Sequence, residues 1–354
     1  MKKRLLVHLQ INIKDEIFIM KKVILLFVLL SVCFIHTYSQ NQLLVLDNYT
    51  IPVNKKGAVI GKVISTANEK TILKDPSGLF EIDKEKNIRL KKGKQLTSSS
   101  PISYEIVLKE GKSQKTFELV KDEFLNNKVI AHRGAWKDRD FSHNSMSSLK
   151  HAVEIGCEGS ELDVWMSSDD VVVLSHDPSI GGKDVEATTV AELSAVTLKN
   201  GDFVPTLEEY INYIKTQNKT KLIIEIKGTN KGKAIADSVV HLVHRMKAQA
   251  WVDYISFGMQ YLTRVKELDP AAKVLYLGSD KSLEELKAAN IDSIDFHYSL
   301  FQKDQELADK AKSIGLLTNA WTVNKEEDMQ TMLKLKLDFI TTDEPELLLR
   351  LLEK

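Results

Sequence analysis

The chain has 354 residues, of which 43% are hydrophobic and 28% are charged, a composition that excludes a disordered or fibrous protein. The 49 basic residues, Lys and Arg, balance the 49 acidic ones. Because there is no net charge to attract nucleic acid, we expect no nucleic-acid partner, and any recognition of anions must be local.

The first 39 residues are predicted to be a secretory signal peptide. Residues 20–22 (Met-Lys-Lys) form a basic start, residues 23–35 are apolar but too few to span a bilayer, and small residues precede Gln40. Met20 is a candidate for the true start of translation, because acidic residues ahead of it are unusual in such a segment. We therefore expect a protein secreted across the inner membrane to the periplasm or the cell surface, with no transmembrane span after cleavage.

Residues 40–124 alternate short apolar runs with turn residues such as 75–78 (Asp-Pro-Ser-Gly). This spacing predicts a small antiparallel β-sandwich. The predicted strands are residues 58–64, 79–82, 88–90, 104–108 and 116–120. The segment is similar to a cadherin-type repeat but has no evident calcium-binding motif, so we interpret it as a spacer or docking domain whose partner is unknown.

From residue 125 to residue 354, strand-like runs alternate with amphipathic helical ones. About eight such pairs are present, the number that closes a TIM (β/α)8 barrel, and this is the fold we predict. The predicted strands are residues 129–132, 161–166, 222–227, 254–257, 273–277, 293–297, 316–323 and 338–341. The predicted helices are residues 145–155, 206–215, 233–248, 260–268, 283–289, 305–314, 326–335 and 346–352.

One connection departs from this alternation. Residues 167–170 (Ser-Ser-Asp-Asp) join two strand-like runs and are too few for a parallel crossover. We therefore predict a hairpin, in which residues 171–175 form an extra strand that carries His176 back over the mouth of the barrel.

Histidines and carboxylates stand on these strands, at the end where a barrel presents catalytic groups to its loops. His132 ends the first strand, and His176 follows the extra one. Glu161 and Asp163 are two residues apart on one strand, so their side chains share a face, which must be the barrel interior. Two inward carboxylates repel each other unless a cation lies between them.

Three motifs occur in the order and spacing of a known family. His-Arg-Gly-Ala at residues 132–135, Glu-Leu-Asp-Val at 161–164 and His-Asp at 176–177 resemble the motifs of the glycerophosphodiester phosphodiesterase family. The resemblance spans roughly residues 128–354. It implies an enzyme that hydrolyses a small-molecule glycerophosphodiester to sn-glycerol 3-phosphate and an alcohol.

The resemblance also completes a metal site. Glu225, on the next barrel strand, resembles the family's third carboxylate beside Glu161 and Asp163. Oxygen ligands of this kind suit one divalent metal, Ca²⁺ or Mg²⁺, rather than zinc. The alternative is that Glu161 or Glu225 only pairs with Lys227 or Arg133 inside the barrel.

His132 and His176 are the candidate general acid and base, since imidazole can accept and donate a proton near neutral pH. Arg133 and Lys227 are expected to neutralise the phosphate oxygens, with the metal stabilising charge in the transition state. If Lys227 is only a counter-ion for Glu225, its loss would harm folding rather than turnover.

Further residues are expected to form the substrate pocket. Trp321 matches the aromatic wall that the family uses for the glycerol moiety. Phe257, His297 and Asn144 are the other candidates, and for His297 a purely structural role is equally open.

One motif departs from the family pattern. Where the family usually has Pro-Glu-Asn-Thr, residues 142–145 read Ser-His-Asn-Ser, so His143 replaces a carboxylate near Arg133. Asn144 is retained, and Ser145 can still cap the helix that follows. We therefore expect an active enzyme with altered surroundings of Arg133.

Two questions stay open at this level. The nucleophile is either metal-bound water or the substrate's own glycerol hydroxyl, which would give a cyclic phosphate that water opens later. The alternatives to the predicted function are a phosphodiesterase acting on a phospholipid, a lysophospholipid or a glycerol-phosphate polymer, and a catalytically silent binder of a phosphate ligand.

Overall fold

The structure is a computed structural model that describes residues 43–67 and 69–353. The predicted signal peptide, residues 1–39, lies outside the described residues. The described residues from Leu44 onward belong to one compact unit. In the described part of the chain, no helix combines the length and the apolar character needed to cross a membrane.

Two four-stranded sheets form the first part of this unit. Their strands are β1 (Leu44–Leu46), β2 (Thr50–Ile51), β3 (Val59–Ser65), β4 (Thr71–Lys74), β5 (Phe80–Ile82), β6 (Asn87–Leu90), β7 (Ser103–Glu110) and β8 (Ser113–Lys121). The strand orders in the two sheets are β1-β3-β6-β5 and β2-β8-β7-β4. Ile88 of the first sheet and Ile106 and Phe117 of the second are buried. The predicted β-sandwich is thereby confirmed, and its strand pairs are antiparallel as predicted except that β2 pairs with β8 in parallel. Its likeness to a cadherin repeat stays a prediction.

The sequence pattern does not reveal three of these strands. β1 is buried at every position instead of at every second one, so it lacks the alternation that marks a half-buried strand. β2 has two residues, too few for any periodicity. β4 has one fully buried residue, Thr71, which is polar.

The second part of the unit is a closed barrel. Its strands are β9 (Val129–Ala131), β10 (Gly159–Met166), β14 (Lys221–Ile226), β15 (Val252–Ser256), β16 (Val274–Tyr276), β17 (Ser293–His297), β18 (Leu317–Trp321) and β19 (Phe339–Thr342). They pair in parallel in this order, and β19 pairs with β9, so the sheet closes. The predicted TIM barrel is confirmed.

Ten α-helices accompany the barrel strands in the described residues. They are α1 (Met146–Glu154), α2 (Val190–Leu193), α3 (Leu207–Ile214), α4 (Ala234–Arg245), α5 (Met259–Leu268), α6 (Leu283–Ala288), α7 (Tyr298–Lys303), α8 (Leu307–Ser313), α9 (Glu326–Lys334) and α10 (Pro345–Leu352). Eight of them correspond to predicted helices, whereas α2 and α7 do not. Both are short, so the helical period has little length over which to show.

The predicted hairpin is present. β11 (Val172–Leu174) runs antiparallel to β10, with Met166 opposite Val172. Asp170 in the turn has φ +63°, the left-handed conformation that a tight connection requires. A second small hairpin, β12 (Ser179–Ile180) with β13 (Lys183–Asp184), follows in the loop that leads to α3.

The sandwich contacts the barrel at the N-terminal ends of the barrel strands. Asn218, in the loop before β14, donates a side-chain hydrogen bond to the carbonyl of Lys121 (2.7 Å). Lys215, just after α3, lies 2.7 Å from Glu118 of β8. The predicted domain boundary at residue 124 falls between β8 and β9, and the division into two domains stays a prediction because one compact unit contains both parts.

Candidate active site

A cavity of about 190 Å³ opens at the C-terminal ends of the barrel strands. Eight of the eleven predicted site residues line it: His132, Arg133, Glu161, His176, Glu225, Lys227, Phe257 and Trp321. Asp163 lies against this set, since one of its carboxylate oxygens is within 4.8 Å of oxygens of Glu161 and Glu225. The structure therefore brings together residues that are far apart in the sequence.

Strand register explains why these residues meet. Ala131 is opposite Ser160, which puts His132 level with Glu161, and Asp163 is opposite Glu225. The backbone N–H of Ser175 donates to the carbonyl of Asp163 (3.1 Å), so the hairpin returns the next residue, His176, to the same level. β10 extends beyond its neighbours at the C-terminal end of the barrel. Glu161 and Asp163 therefore lie in the middle of this strand and still reach the mouth of the barrel.

A strained turn follows the first strand. Arg133 has φ +59° and Gly134 has φ +83°. A Cβ on Gly134 would lie 2.7 Å from the backbone carbon of Ser148, so only glycine fits there. The turn directs the backbone N–H of Arg133 to Glu161 Oε2 (2.8 Å), which anchors the first carboxylate of the site.

Glu161, Asp163 and Glu225 form a buried carboxylate triad. Burial, with the charges of the other two carboxylates, raises the pKa of Glu161 well above its usual value, and burial raises the pKa of Glu225 to about 7. None of the described residues donates a hydrogen bond to Glu161 Oε1. A divalent cation would supply that partner and remove the repulsion, so the triad fits a metal with oxygen ligands.

The raised pKa of Glu225 predicts that the metal-free protein loses stability as the pH rises. Glutamate ordinarily titrates near 4.5, whereas Glu225 has a pKa of about 7 in the folded chain. The folded state holds this proton more tightly, so the stability that it contributes is lost between about pH 4.5 and about pH 7.

Denaturant unfolding in chelator checks this expectation. The free energy of unfolding of Glu225→Gln should exceed that of the wild type by a margin that grows with pH across this window. A margin that is constant with pH would contradict it.

Two cations balance part of the negative charge. Lys227 Nζ lies 2.7 Å from both Asp163 Oδ1 and Glu225 Oε1, and Arg133 Nε lies 3.4 Å from Asp163 Oδ2. Burial opposes ionisation of Asp163, but Lys227 outweighs it and lowers the pKa of this carboxyl. Lys227 therefore has the counter-ion contacts considered from the sequence, and it also lines the cavity where a phosphate would bind.

Each candidate histidine is held by a carboxylate. His132 Nδ1 is 2.7 Å from Asp343 Oδ1, and Asn324 in turn donates to Asp343 Oδ2 (2.7 Å). His176 Nδ1 is 2.8 Å from Asp177 Oδ1. With Nδ1 engaged in both rings, Nε2 is the nitrogen left for proton transfer. Burial, reinforced by the nearby cations, lowers the pKa of His176.

An aromatic wall closes the other side of the cavity. The rings of Phe257 and Trp321 meet edge to face at 5.5 Å, and those of His297 and Trp321 at 5.4 Å. His297 does not line the cavity itself; its Nδ1 accepts a hydrogen bond from the backbone N–H of Ser299 (3.3 Å) and so caps α7. These contacts match a structural role for His297, whose ring packs against that of Trp321.

Asn144 contacts the triad directly. Its side-chain amide donates to Asp163 Oδ2 (2.8 Å) and its oxygen accepts the backbone N–H of Asp163 (3.1 Å). Asn144 thus positions Asp163, and it lines a neighbouring cavity instead of the one around the triad. Its place in the substrate pocket stays a prediction. Ser145 caps α1 as predicted, accepting the backbone N–H of Ser148 (3.1 Å).

Comparison with known proteins decides the family. The sequence model of the Glycerophosphoryl diester phosphodiesterase family matches residues 132–347, more than half of the chain. The chain belongs to this family. A glycerophosphodiester phosphodiesterase of Caldanaerobacter subterraneus subsp. tengcongensis is 30% identical over an alignment of 241 positions, and the match covers 64% of this chain and 98% of the relative.

Solved structures of glycerophosphodiester phosphodiesterases match the barrel. One from Parabacteroides distasonis is 38% identical, with a TM-score of 0.62, and the match covers 65% of this chain and 98% of that one. A phosphodiesterase of Oleispira antarctica, solved with the product sn-glycerol-3-phosphate, shares the fold at 24% identity and a TM-score of 0.59, covering 64% of this chain and 97% of its own. The family's enzyme class is therefore that of this chain.

In this member of the family, the residues that support the site are not predicted from the sequence. Asp343 follows β19 and stands at a strand end like His132, a position that could have marked it. Asp295, buried on β17, lines the cavity, and burial raises its pKa to about 8. It gives no sequence signal, because a single carboxylate in a strand is not distinctive.

Proposed function

We propose that the protein is a metal-dependent phosphodiesterase that converts a glycerophosphodiester to sn-glycerol 3-phosphate and an alcohol by histidine acid–base catalysis. The observation that carries the proposal is the carboxylate triad at the cavity that two histidines line, with each histidine oriented by its own carboxylate. Family membership supplies the class of substrate.

The cavity has the charges that a phosphodiester needs. The phosphate group of a phosphodiester carries one negative charge, and the side chains of Arg133 and Lys227 can contact this group from the cavity wall. One divalent cation, Ca²⁺ or Mg²⁺, held by Glu161, Asp163 and Glu225 would stabilise the charge that develops on the phosphoryl oxygens. The aromatic face of Trp321 offers apolar contact for the glycerol carbons.

Proton transfer falls to the two imidazoles. One takes a proton from the attacking hydroxyl, and the other gives a proton to the oxygen of the departing alcohol. Asp343 fixes the orientation of the His132 ring through Nδ1, as a carboxylate does for a catalytic histidine. The same pair serves water or the substrate's glycerol hydroxyl as the nucleophile.

The cellular location of the protein is a separate proposal. We infer secretion to the periplasm or the cell surface from residues 20–39, whose basic start and apolar run are typical of a signal peptide.

The products of glycerophosphocholine hydrolysis test the function. We expect phosphorus NMR to show sn-glycerol 3-phosphate, with Ca²⁺ or Mg²⁺ present. Phosphocholine as the phosphorus product would show cleavage of the other ester bond, and no turnover of any glycerophosphodiester by the folded protein would favour another phosphodiester or a silent binder. A transient cyclic phosphate would identify the glycerol hydroxyl as the nucleophile.

A further inference from the structure

A second cavity of about 390 Å³ adjoins the catalytic one. His176 lines both cavities, so it stands at their junction. The second cavity lies between the loop after β9 and the loop after β11, away from the aromatic wall of Trp321. Because a phosphodiester has two esterified alcohols, a phosphate bound beside His176 can direct one arm into each cavity.

Aromatic rings form one wall of the second cavity. Trp136, Phe141 and His143 all line it, and the rings of Trp136 and His143 meet edge to face at 6.1 Å. Trp136 Nε1 donates to the carbonyl of His132 (3.2 Å), which ties this wall to the catalytic site. Burial and the neighbouring Arg133 lower the pKa of His143, so its ring is neutral at neutral pH.

The charged groups of this cavity are mainly acidic. The residues lining it include two aspartates, Asp140 and Asp177, and one lysine, Lys199. Lys199 Nζ lies 3.0 Å from Asp140 Oδ1, and both side chains are largely exposed to solvent. Aromatic faces next to carboxylates are the surroundings that favour an ammonium group.

Building on the proposed function, we propose that the second cavity binds the departing alcohol and selects a positively charged amino alcohol of the choline or ethanolamine type. The cation would lie against the rings of Trp136 and Phe141, near Asp140. Glycerol would occupy the first cavity, beside Trp321. His143 then belongs to a specificity pocket, which gives a use to the motif that departs from the family pattern.

Competing hydrolysis of glycerophosphocholine and glycerophosphoglycerol, whose departing alcohol is uncharged, tests the proposal. We expect Asp140→Asn and Phe141→Leu each to lower the ratio of kcat/KM for glycerophosphocholine to kcat/KM for glycerophosphoglycerol about fivefold, the effect of losing one cation contact. Asn tolerates the left-handed backbone of Asp140 (φ +51°). Asp138→Asn, in the same loop but outside both cavities, is the matched control and should keep the wild-type ratio.

The outcomes separate this inference from the function on which it rests. A wild-type ratio in both variants, or an equal loss on both substrates, would overturn the amino-alcohol pocket while leaving the phosphodiesterase intact. Failure of the wild type on both substrates would overturn the two together. Phe141 packs on His151, with ring centroids 6.0 Å apart, so the exposed Asp140→Asn decides the matter if Phe141→Leu folds poorly.

Discussion

Glu161→Gln is expected to lower kcat/KM for glycerophosphodiesters about a thousandfold, which corresponds to about 4 kcal/mol of transition-state stabilisation. Glutamine keeps the shape of the side chain and can still accept the N–H of Arg133, but it removes one of three carboxylates that could hold the metal. Steady-state kinetics measures the loss of turnover. Calorimetric titration with Ca²⁺ and Mg²⁺ should show weakened binding, independently of activity.

Stability distinguishes a metal ligand from a structural residue in this variant. Burial strongly disfavours the charge of Glu161, so in chelator the variant should unfold at a denaturant concentration no lower than the wild type. Glu158→Gln is the matched control: Glu158 immediately precedes β10 and accepts the backbone N–H of Lys128 (2.6 Å). Equal loss of metal binding in both variants would contradict the role of Glu161.

His132→Asn is expected to lower kcat about 10²- to 10⁴-fold, with little change in KM. The variant removes the ring nitrogen that transfers the proton, while Arg133, Lys227 and the triad remain to bind phosphate and metal. Rapid kinetics measures the loss of kcat, and metal titration on the same preparation measures whether the metal still binds. A raised KM with an unchanged kcat would contradict acid–base catalysis by this residue.

His151 provides the opposite case. It is buried on α1, its Nε2 lies 2.9 Å from Glu346 Oε1 of α10, and its Nδ1 lies 3.3 Å from Glu154 Oε2, so neither ring nitrogen contacts the triad. His151→Asn should therefore lower the free energy of unfolding by about 1–3 kcal/mol and leave kcat near the wild-type value. The pair of histidine variants thus separates catalysis from folding.

Much of the fold is predictable from the sequence because the barrel repeats one pattern. Each strand is an apolar run and each long helix shows its own period, so β17 is predicted with its observed ends, Ser293 and His297. The hairpin of β10 and β11 follows from a connection that is too short for any other geometry. The short strands β1 and β2 escape because periodicity needs length.

The site is predictable to the extent that chemistry is carried by motifs. Residue type and spacing predict Glu161, Asp163 and His132 as site residues. What sequence cannot show is the partner across the barrel: Asp343 is 211 positions from His132, and only the closure of β19 on β9 joins them. The same holds for Asn144, whose bond to Asp163 depends on where α1 begins.

The central claim is that the triad binds one divalent cation on which turnover depends. The most direct measurement is to strip the protein with chelator, add Ca²⁺ or Mg²⁺ in steps, and record both bound metal and release of sn-glycerol 3-phosphate from glycerophosphocholine. We expect no turnover at first and full recovery as one ion per chain binds, with no recovery in Glu161→Gln. Turnover that persists in the stripped protein, or recovery in Glu161→Gln equal to that of the wild type, would contradict the account.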